Sequence, residues 1–246
     1  MFKTLIFTLF FPLIAVAATS WTPGTPFQEW SLDNAVKVLN DSPWARHETF
    51  TRVIRGVGSG ISGEKEIYNT FYVRFLSARP IREAYARVQQ IQHGYDEMAP
   101  EEKQRFEDVQ LPNLDLDVSR WIVVSVSFRS NDPNEESEVR RFFQSETVKT
   151  LKTKVFLSTP AFPQVELSAY FPQREESVGA KFVFPREIDG IPVINRDCSY
   201  VTLELLDLPG TDSGQQNSFQ NGPGAGSGLH ARFEVEPMII DDELIS

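Results

Sequence analysis

Residues 229–236 read Leu-His-Ala-Arg-Phe-Glu-Val-Glu, the clearest strand pattern in the chain. Apolar residues stand at every second position, with Leu229, Ala231, Phe233 and Val235 on one side. Because successive side chains of a strand point to opposite faces, this alternation predicts a strand with one buried and one exposed face. Strands of this kind are typical of antiparallel sheets.

Further strand patterns precede this stretch. Strands are predicted at residues 154–158, 165–171, 180–184 and 199–207, with Pro or Gly between them. Residues 209–228 are rich in Gly, Ser, Gln and Asn and have almost nothing to bury, which predicts a mobile surface loop. Region 153–246 is therefore expected to be β-rich and sandwich-like.

Region 19–152 combines helices and strands. Amphipathic patterns predict helices at residues 31–39 and 80–91. Pro100 opens a short charged helix at residues 101–108, and another helix is predicted after the cap Asp132. Strands are predicted at residues 48–55, 67–76 and 121–129. The fold class expected is α+β, mostly antiparallel sheet, with three to four helices in the N-terminal half. The two regions form either one domain or two domains that lean on each other, and we expect one packed unit.

Three of these elements carry specific burial expectations. In the first helix, Leu32, Ala35, Val36 and Leu39 form the apolar side. In the helix of residues 80–91, the apolar stripe leaves the polar residues, among them Arg87 and Gln90, on the other side. The strand at residues 121–129 is expected to be half-buried.

The first 18 residues have the order of a secretory signal peptide. Lys3 precedes a short apolar run from Leu5 to Val16, and small residues follow at Ala17 and Ala18. The alternative is a membrane anchor, but the run is shorter than the roughly 20 residues that cross a bilayer. The mature protein is therefore expected to be exported, periplasmic or secreted, and to have no membrane span.

Charge and cysteine content exclude several classes of function. The 246 residues have a net charge of −10, which argues against nucleic acid as a partner, since phosphate binding requires basic surface. The single cysteine, Cys198, excludes an internal disulfide framework and thiolate metal clusters. It either pairs with another molecule or, as we expect, is a small buried apolar residue.

Residues 58–63 match the dinucleotide pattern G-x-G-x-x-G. That function requires a helix N-terminus after the loop to hold phosphate, whereas Glu64 begins a predicted strand. A flexible hairpin loop is the better interpretation, and we expect no cofactor. Ser59 and Ser62 lie in the same loop outside any G-x-S-x-G context.

The three histidines, His47, His93 and His230, belong to no local catalytic or metal-binding motif. His230 falls on the outward side of its strand, and His93 falls at the end of a helix, where a cation is favourable. His47, close to Trp44, has the least explanation. It is the first candidate for a catalytic residue.

Two acidic segments resemble calcium ligands only in part. Residues 113–117, Asn-Leu-Asp-Leu-Asp, place oxygens at alternate positions, but Val118 replaces the required glycine and Val124 replaces the closing glutamate. The acidic run at residues 241–243 is typical of a solvated chain end. No metal site is predicted.

Aromatic residues are frequent, and most fall at strand spacing, which indicates core positions. Trp21, Trp30 and an outward-facing Trp121 are the exceptions. They either form a surface for sugars, peptides or a protein partner, or pack where the N-terminal segment meets the sheet, which is the preferred interpretation.

Three stretches together resemble a family of exported bacterial proteins found mainly in the Acidobacteria. They are residues 42–45 (Ser-Pro-Trp-Ala), residues 72–84 (Tyr-Val-Arg-Phe-Leu-Ser-Ala-Arg-Pro-Ile-Arg-Glu-Ala) and residues 231–239 (Ala-Arg-Phe-Glu-Val-Glu-Pro-Met-Ile). The family has no established activity, so the resemblance assigns no catalytic role to any residue. The long insertion at residues 212–228 departs from the family pattern, which argues against a ligand site built by that loop.

Two functions remain open on these grounds. The first is a non-enzymatic binding protein, or one that interacts with an unknown protein or envelope component. It includes a structural role through strand addition at an exposed sheet edge. The alternative is an extracytoplasmic hydrolase whose acid and base, with His47 the first candidate, come together only in the fold.

Overall fold

The computed structural model describes residues 24–55, 64–110, 114, 116–173, 179–211, 228–241 and 243–246. The predicted signal peptide, the glycine-rich segment 58–63 and residues 212–227 of the predicted loop lie outside these ranges.

Helices lie mainly in the N-terminal half. The described α-helices are α1 (Leu32–Asn40), α2 (Arg79–Gln92), α3 (Pro100–Gln110), α4 (Pro133–Ser145) and α5 (Val148–Leu151). Short 3-10 helices span Phe27–Glu29, Tyr95–Glu97 and Glu236–Met238. As predicted, Ser31 caps α1 and Asp132 caps α4, each through a side-chain oxygen that accepts a backbone N–H.

Strands form two principal antiparallel sheets. The large sheet has the order β1-β2-β3-β7-β6 and the small sheet the order β11-β10-β4-β5. The strands of the large sheet are β1 (Ala45–Arg55), β2 (Glu64–Phe75), β3 (Trp121–Ser130), β6 (Ala169–Phe171) and β7 (Ala180–Pro185). Those of the small sheet are β4 (Val155–Ser158), β5 (Val165–Glu166), β10 (Tyr200–Leu206) and β11 (Gly228–Glu234). Two short hairpins pair β8 (Glu187–Ile188) with β9 (Ile191–Pro192), and β12 (Ile239–Ile240) with β13 (Glu243–Leu244). The α+β fold class, with mostly antiparallel sheet, is confirmed.

The two sheets pack face to face around aromatic side chains. Phe75 of β2 meets Phe233 of β11 edge to face, with ring centroids 4.9 Å apart. On the same face, Phe143 of α4 contacts Phe182 of β7 at 6.4 Å. Helices α1 and α2 pack together on the opposite face of the large sheet. The layers are therefore a helix pair, the large sheet, and the small sheet together with α4.

The chain passes from one sheet to the other at Leu167 and Ser168. Residues 165–171, predicted as one strand, are two strands, β5 in the small sheet and β6 in the large sheet. The backbone N–H of Ser168 donates to the Val183 carbonyl at 2.8 Å, which ties the crossing to β7. Strands of the C-terminal region thus complete the sheet begun by β1, β2 and β3.

The prediction of a half-buried strand at residues 121–129 is wrong for the middle of β3. Val123 and Ser125, expected on the exposed side, are as buried as their neighbours. β3 is the central strand of the large sheet, with layers packed against both faces, and alternation in sequence does not report the second layer.

Two helix faces also differ from their predictions. Leu32 and Val36 of α1 are exposed, and Val38 is buried instead. In α2, Arg87 and Gln90 are buried, and the 3-10 helix Phe27–Glu29 and Trp30 pack against this helix. The Arg87 guanidinium donates to the Trp30 carbonyl at 2.8 Å and to both carboxylate oxygens of Asp96 at 3.1 Å.

The first residues of the predicted loop 209–228 are packed. Thr211 is buried and its hydroxyl donates to the Leu208 carbonyl at 2.7 Å. The Gly210 carbonyl accepts from the Asn69 side chain at 3.0 Å. Those residues contribute to the fold, contrary to the composition-based prediction.

The last described residues close one side of the molecule. The indole N–H of the fully buried Trp44 donates to the Ile245 carbonyl at 2.5 Å. Arg186 donates to the side chain and carbonyl of Ser246 and to the Val118 carbonyl. Burial lowers the pKa of Arg186, while its carbonyl acceptors hold it in place.

Candidate functional site

One face of the large sheet is covered by α1 and α2 at one end and is open at the other. In the register of the sheet, His47, Tyr72 and Ser127 lie side by side on β1, β2 and β3. The next row towards the open end holds Thr49, Thr70 and Arg129. These side chains are half-buried or exposed. We call these six residues, together with Lys181 and the underlying Arg74, the polar sheet face.

Arg74 lies below the first row, at the edge of the helix layer. It is 7% exposed and stands between Ala45 and Ser125 in the register. Its guanidinium donates to the Leu39 carbonyl at 2.5 Å, to the Asn40 side-chain oxygen at 2.9 Å and to the Ser127 hydroxyl at 3.0 Å. Arg74 thereby satisfies carbonyl and amide oxygens at the C-terminus of α1, where cations are favourable.

All three acceptors of Arg74 are neutral. Within the ranges that the structure describes, Arg74 forms no ion pair with a carboxylate. A buried charge is costly unless hydrogen bonds or an opposite charge compensate it. Here hydrogen bonds alone provide the compensation among the described residues, so no carboxylate there neutralises the positive charge of Arg74.

Two tyrosines flank this guanidinium. Its carbon lies 5.0 Å from the ring centroid of Tyr72 and 5.8 Å from that of Tyr85 in α2. Both distances are within the range of cation–π attraction. Burial raises the pKa of Tyr85, and the positive charge of Arg74 opposes part of that rise because it stabilises the phenolate. Tyr85 is thus a neutral, buried phenol.

His47 lies at the edge of the polar sheet face and is exposed. Its Nδ1 is 3.3 Å from the Asn40 carbonyl, and its ring centroid is 6.0 Å from that of Tyr72. No ion pair of His47 with a carboxylate occurs in the described ranges. Ser127, in the same row, is two strand spacings away, about 10 Å. His47, Ser127 and an acid are therefore not assembled into a hydrogen-bonded triad among these residues.

The other two histidines have structural surroundings. His93 caps the end of α2, as predicted, and its ring lies 5.4 Å from that of Phe106 in α3. His230 is on the outer side of β11, as predicted, with Nδ1 3.7 Å from a carboxylate oxygen of Glu204. Neither lies on the polar sheet face.

Glu48 is an ionisable residue of note that sequence reasoning missed. It lies on β1 where that strand meets β11, on the core side of the large sheet, opposite Phe71. Burial raises the pKa of Glu48 to about 7, although a hydrogen bond with the His230 backbone opposes the rise. The sequence contained no signal for it, because Glu48 alternates with Phe50 and Arg46 without a distinguishing pattern.

The remaining candidates do not converge on one place. Segment 58–63, with Ser59 and Ser62, lies outside the described residues, but β1 and β2 on either side pair as an antiparallel hairpin, and no helix follows at Glu64.

Of the two acidic segments, residues 113, 115 and 242 lie outside the described ranges. Asp117 accepts the Ser119 backbone N–H at 3.0 Å, which is a local turn contact that also lowers the Asp117 pKa. In the described ranges, no group of three potential metal ligands occurs.

The predictions for the three tryptophans and for Cys198 have different outcomes. Trp30 is buried, and its indole N–H donates to the Thr25 carbonyl at 3.1 Å, as expected for packing of the N-terminal segment. Trp121 is outward and partly exposed, with the Arg120 guanidinium 5.7 Å from its ring. Trp21 lies outside the described ranges. Cys198 is buried and unbonded to another cysteine, as expected of a small apolar residue.

Known proteins add nothing to this description, since no family model, curated protein or solved structure matches the chain. In the described part of the chain, no helix combines the length and apolar character needed to cross a membrane.

Proposed function

We propose that this chain is an exported, non-enzymatic binding protein that engages a component of the bacterial envelope through the polar sheet face. The observation that carries the proposal is Arg74, a buried cation whose neutral partners lie directly below an open row of polar and aromatic side chains. Export is inferred from the basic, apolar and small-residue order of residues 1–18.

The shape of the face favours binding of an extended ligand. Small ligands are usually enclosed in concave, mostly apolar pockets. The polar sheet face instead extends over four strands, β1, β2, β3 and β7, with side chains about 5 Å apart between strands and about 7 Å apart along them. A surface of this kind contacts a chain-like ligand over several repeats.

Site-specific photo-cross-linking tests this proposal. A photoreactive residue is placed at the exposed Thr51, beside the polar sheet face, and in a matched protein at the exposed Thr153, in the turn after α5. Each mature protein is then irradiated with envelope and secreted fractions of the native organism. We expect a defined product from position 51 and none from position 153.

Two other results of the same experiment would contradict the proposal. Equal products from both positions, or none from position 51, would refute binding at this face. If the ligand is recovered in a cleaved form and the cleavage depends on His47, the hydrolase alternative is favoured instead.

A further inference from the structure

The hydrogen bonds of Arg74 determine what the polar sheet face offers to a ligand. Arg74 donates to the Ser127 hydroxyl oxygen and to the Asn40 side-chain oxygen, so it occupies acceptor atoms of both residues. The Ser127 O–H and the Asn40 amide N–H groups are left as donors. Both residues are half-buried and reach solvent.

His47 continues the same pattern. A backbone carbonyl has no proton to give, so the contact between His47 Nδ1 and the Asn40 carbonyl requires Nδ1 to be the donor. This contact fixes the ring with Nε2 pointing away from α1. Nε2 is thereby left for a hydrogen bond with the ligand.

Two further cations complete the surface. Arg129 is exposed in the second row, and Lys181 is half-buried opposite Ser125, in the row of Arg74. Neither forms an ion pair with a carboxylate among the described residues. On β1 and β2, the carboxylates of this face, Glu64 and Glu66, lie towards the far end of the hairpin, where Glu66 accepts a hydrogen bond from the Tyr68 hydroxyl. A positive, donor-rich area therefore occurs in a chain whose net charge is −10.

We infer that the ligand of the polar sheet face is a carboxylate-bearing polysaccharide, an inference that rests on the proposed function. Hydrogen-bond donors next to cations bind oxyanions, and a carboxylate pairs with a guanidinium group through two parallel hydrogen bonds. The exposed Tyr68 ring and the half-buried Tyr72 ring supply flat apolar surface for sugar rings. The hydroxyls of Thr49 and Thr70, 2.9 Å apart, supply hydrogen bonds to sugar hydroxyls.

Other extended anions fit this surface less well. Nucleic acid carries a charge about every 1.7 Å along the duplex and is repelled by the acidic molecule as a whole. A polysaccharide with one carboxylate per sugar has a lower charge density. Peptides are commonly recognised by strand addition at a sheet edge or by a groove, whereas the cations of the polar sheet face lie on the inner strands β2, β3 and β7.

Binding of polygalacturonate and of neutral dextran, measured by affinity electrophoresis and calorimetry, tests the inference. We expect polygalacturonate to bind, dextran to bind far more weakly, and the affinity for polygalacturonate to fall with rising salt. Arg129→Ala, Lys181→Ala and Ser127→Ala should each weaken binding about fivefold, the usual loss for one hydrogen bond or one solvent-exposed ion pair. Arg232→Ala, an exposed strand arginine of the small sheet, is the matched control and should bind as the parent does.

The other possible results test the anionic ligand and the proposed function separately. Equal, salt-independent binding of dextran, lost in Tyr72→Ala, would overturn the anionic ligand and support the proposed function. A loss in Arg232→Ala equal to that in Arg129→Ala would show unspecific charge attraction and overturn the inference. If neither polysaccharide binds, the inference is overturned, and the cross-linking at position 51 judges the proposed function separately.

Discussion

Arg74 is the residue on which both the helix layer and the polar sheet face depend. Its guanidinium joins β2 to the last turn of α1 through Leu39 and Asn40, and joins β2 to β3 through Ser127. One side chain thus holds three elements in register. The same hydrogen bonds fix which atoms of Asn40 and Ser127 remain for a ligand.

Replacement of Arg74 by methionine should lower the free energy of unfolding by about 2–4 kcal/mol, because the buried oxygens of Leu39 and Asn40 lose their donor. Urea denaturation followed by circular dichroism measures the change. Arg129→Met is the control, since that arginine is exposed, and should change stability by less than about 0.5 kcal/mol. A loss of equal size in both variants would contradict a special role for Arg74.

The raised pKa of Glu48 implies that the free energy of unfolding depends on pH. Its pKa is raised to about 7 in the folded protein from an ordinary 4.5, so the folded state binds a proton more tightly than the unfolded state. The stabilisation is complete below pH 4.5 and is lost as the pH rises from 4.5 to about 7. Glu48→Gln keeps the shape of the side chain but cannot ionise.

We therefore expect Glu48→Gln to be more stable than the parent protein at pH 8, by on the order of 2 kcal/mol after allowance for screening by water. At pH 4.5 and below the two proteins should be similar in stability. Denaturation midpoints at several pH values, compared between the two proteins, measure this difference. A constant difference across the pH range would refute the raised pKa.

Gly179 illustrates how an element boundary depends on one residue. It precedes β7 with a φ of 83°, and a Cβ at this position would collide with the Val126 backbone carbonyl of β3. The close approach lets β7 begin its pairing with β3 at Ala180. Glycine is required here both by conformation and by space.

Gly179→Ala should therefore cost at least about 3 kcal/mol, because strain and a backbone collision add. Gly190→Ala is the matched control, since that glycine has a similar φ of 77° but open space around its Cβ position. We expect Gly190→Ala to cost only the conformational strain, about 1–2 kcal/mol. Thermal unfolding compares the two, and equal losses would show that space at residue 179 is unimportant.

The elements themselves were predicted well where one pattern governs them. The strand at residues 229–236 buries the apolar residues expected of it. β3 was predicted less well, since its burial on both faces depends on layers contributed by distant residues. Arg87 was placed on the polar side of α2 for the same reason: its partners, Trp30 and Asp96, lie outside the helix.

At the scale of the molecule, the buried side chains form one continuous cluster. It runs from Trp30 and Trp44, through the strands of the large sheet, to Phe233 and Met238 near the end of the chain. β6 and β7 of the C-terminal region pair with β3 of the N-terminal region. The core therefore does not divide at residue 152.

We expect the chain to unfold in a single cooperative transition, since removal of either sheet would expose the inner face of the other. Near-ultraviolet and far-ultraviolet circular dichroism, followed in urea, should give the same midpoint. Two transitions with separate midpoints would contradict a shared core and would favour two domains.

The candidate site was less predictable than the fold. His47 was the first catalytic candidate in the sequence, but the structure places it at an exposed edge beside Tyr72. Arg74 had no distinguishing pattern, because a strand arginine is usually solvated. Arg74 is buried because α1 packs over the sheet, and sequence periodicity does not report that contact.

Local sequence determined the elements: alternation set the strands, helical spacing and caps set the helices, and composition set the acidic character of the chain. These properties depend on residues close together in sequence, so they can be read from it. The tertiary structure decided which strands became neighbours, which arginine was buried and which ionisable group met a changed environment. Those outcomes depend on contacts between distant residues, such as Arg74 with Leu39 and Glu48 with His230.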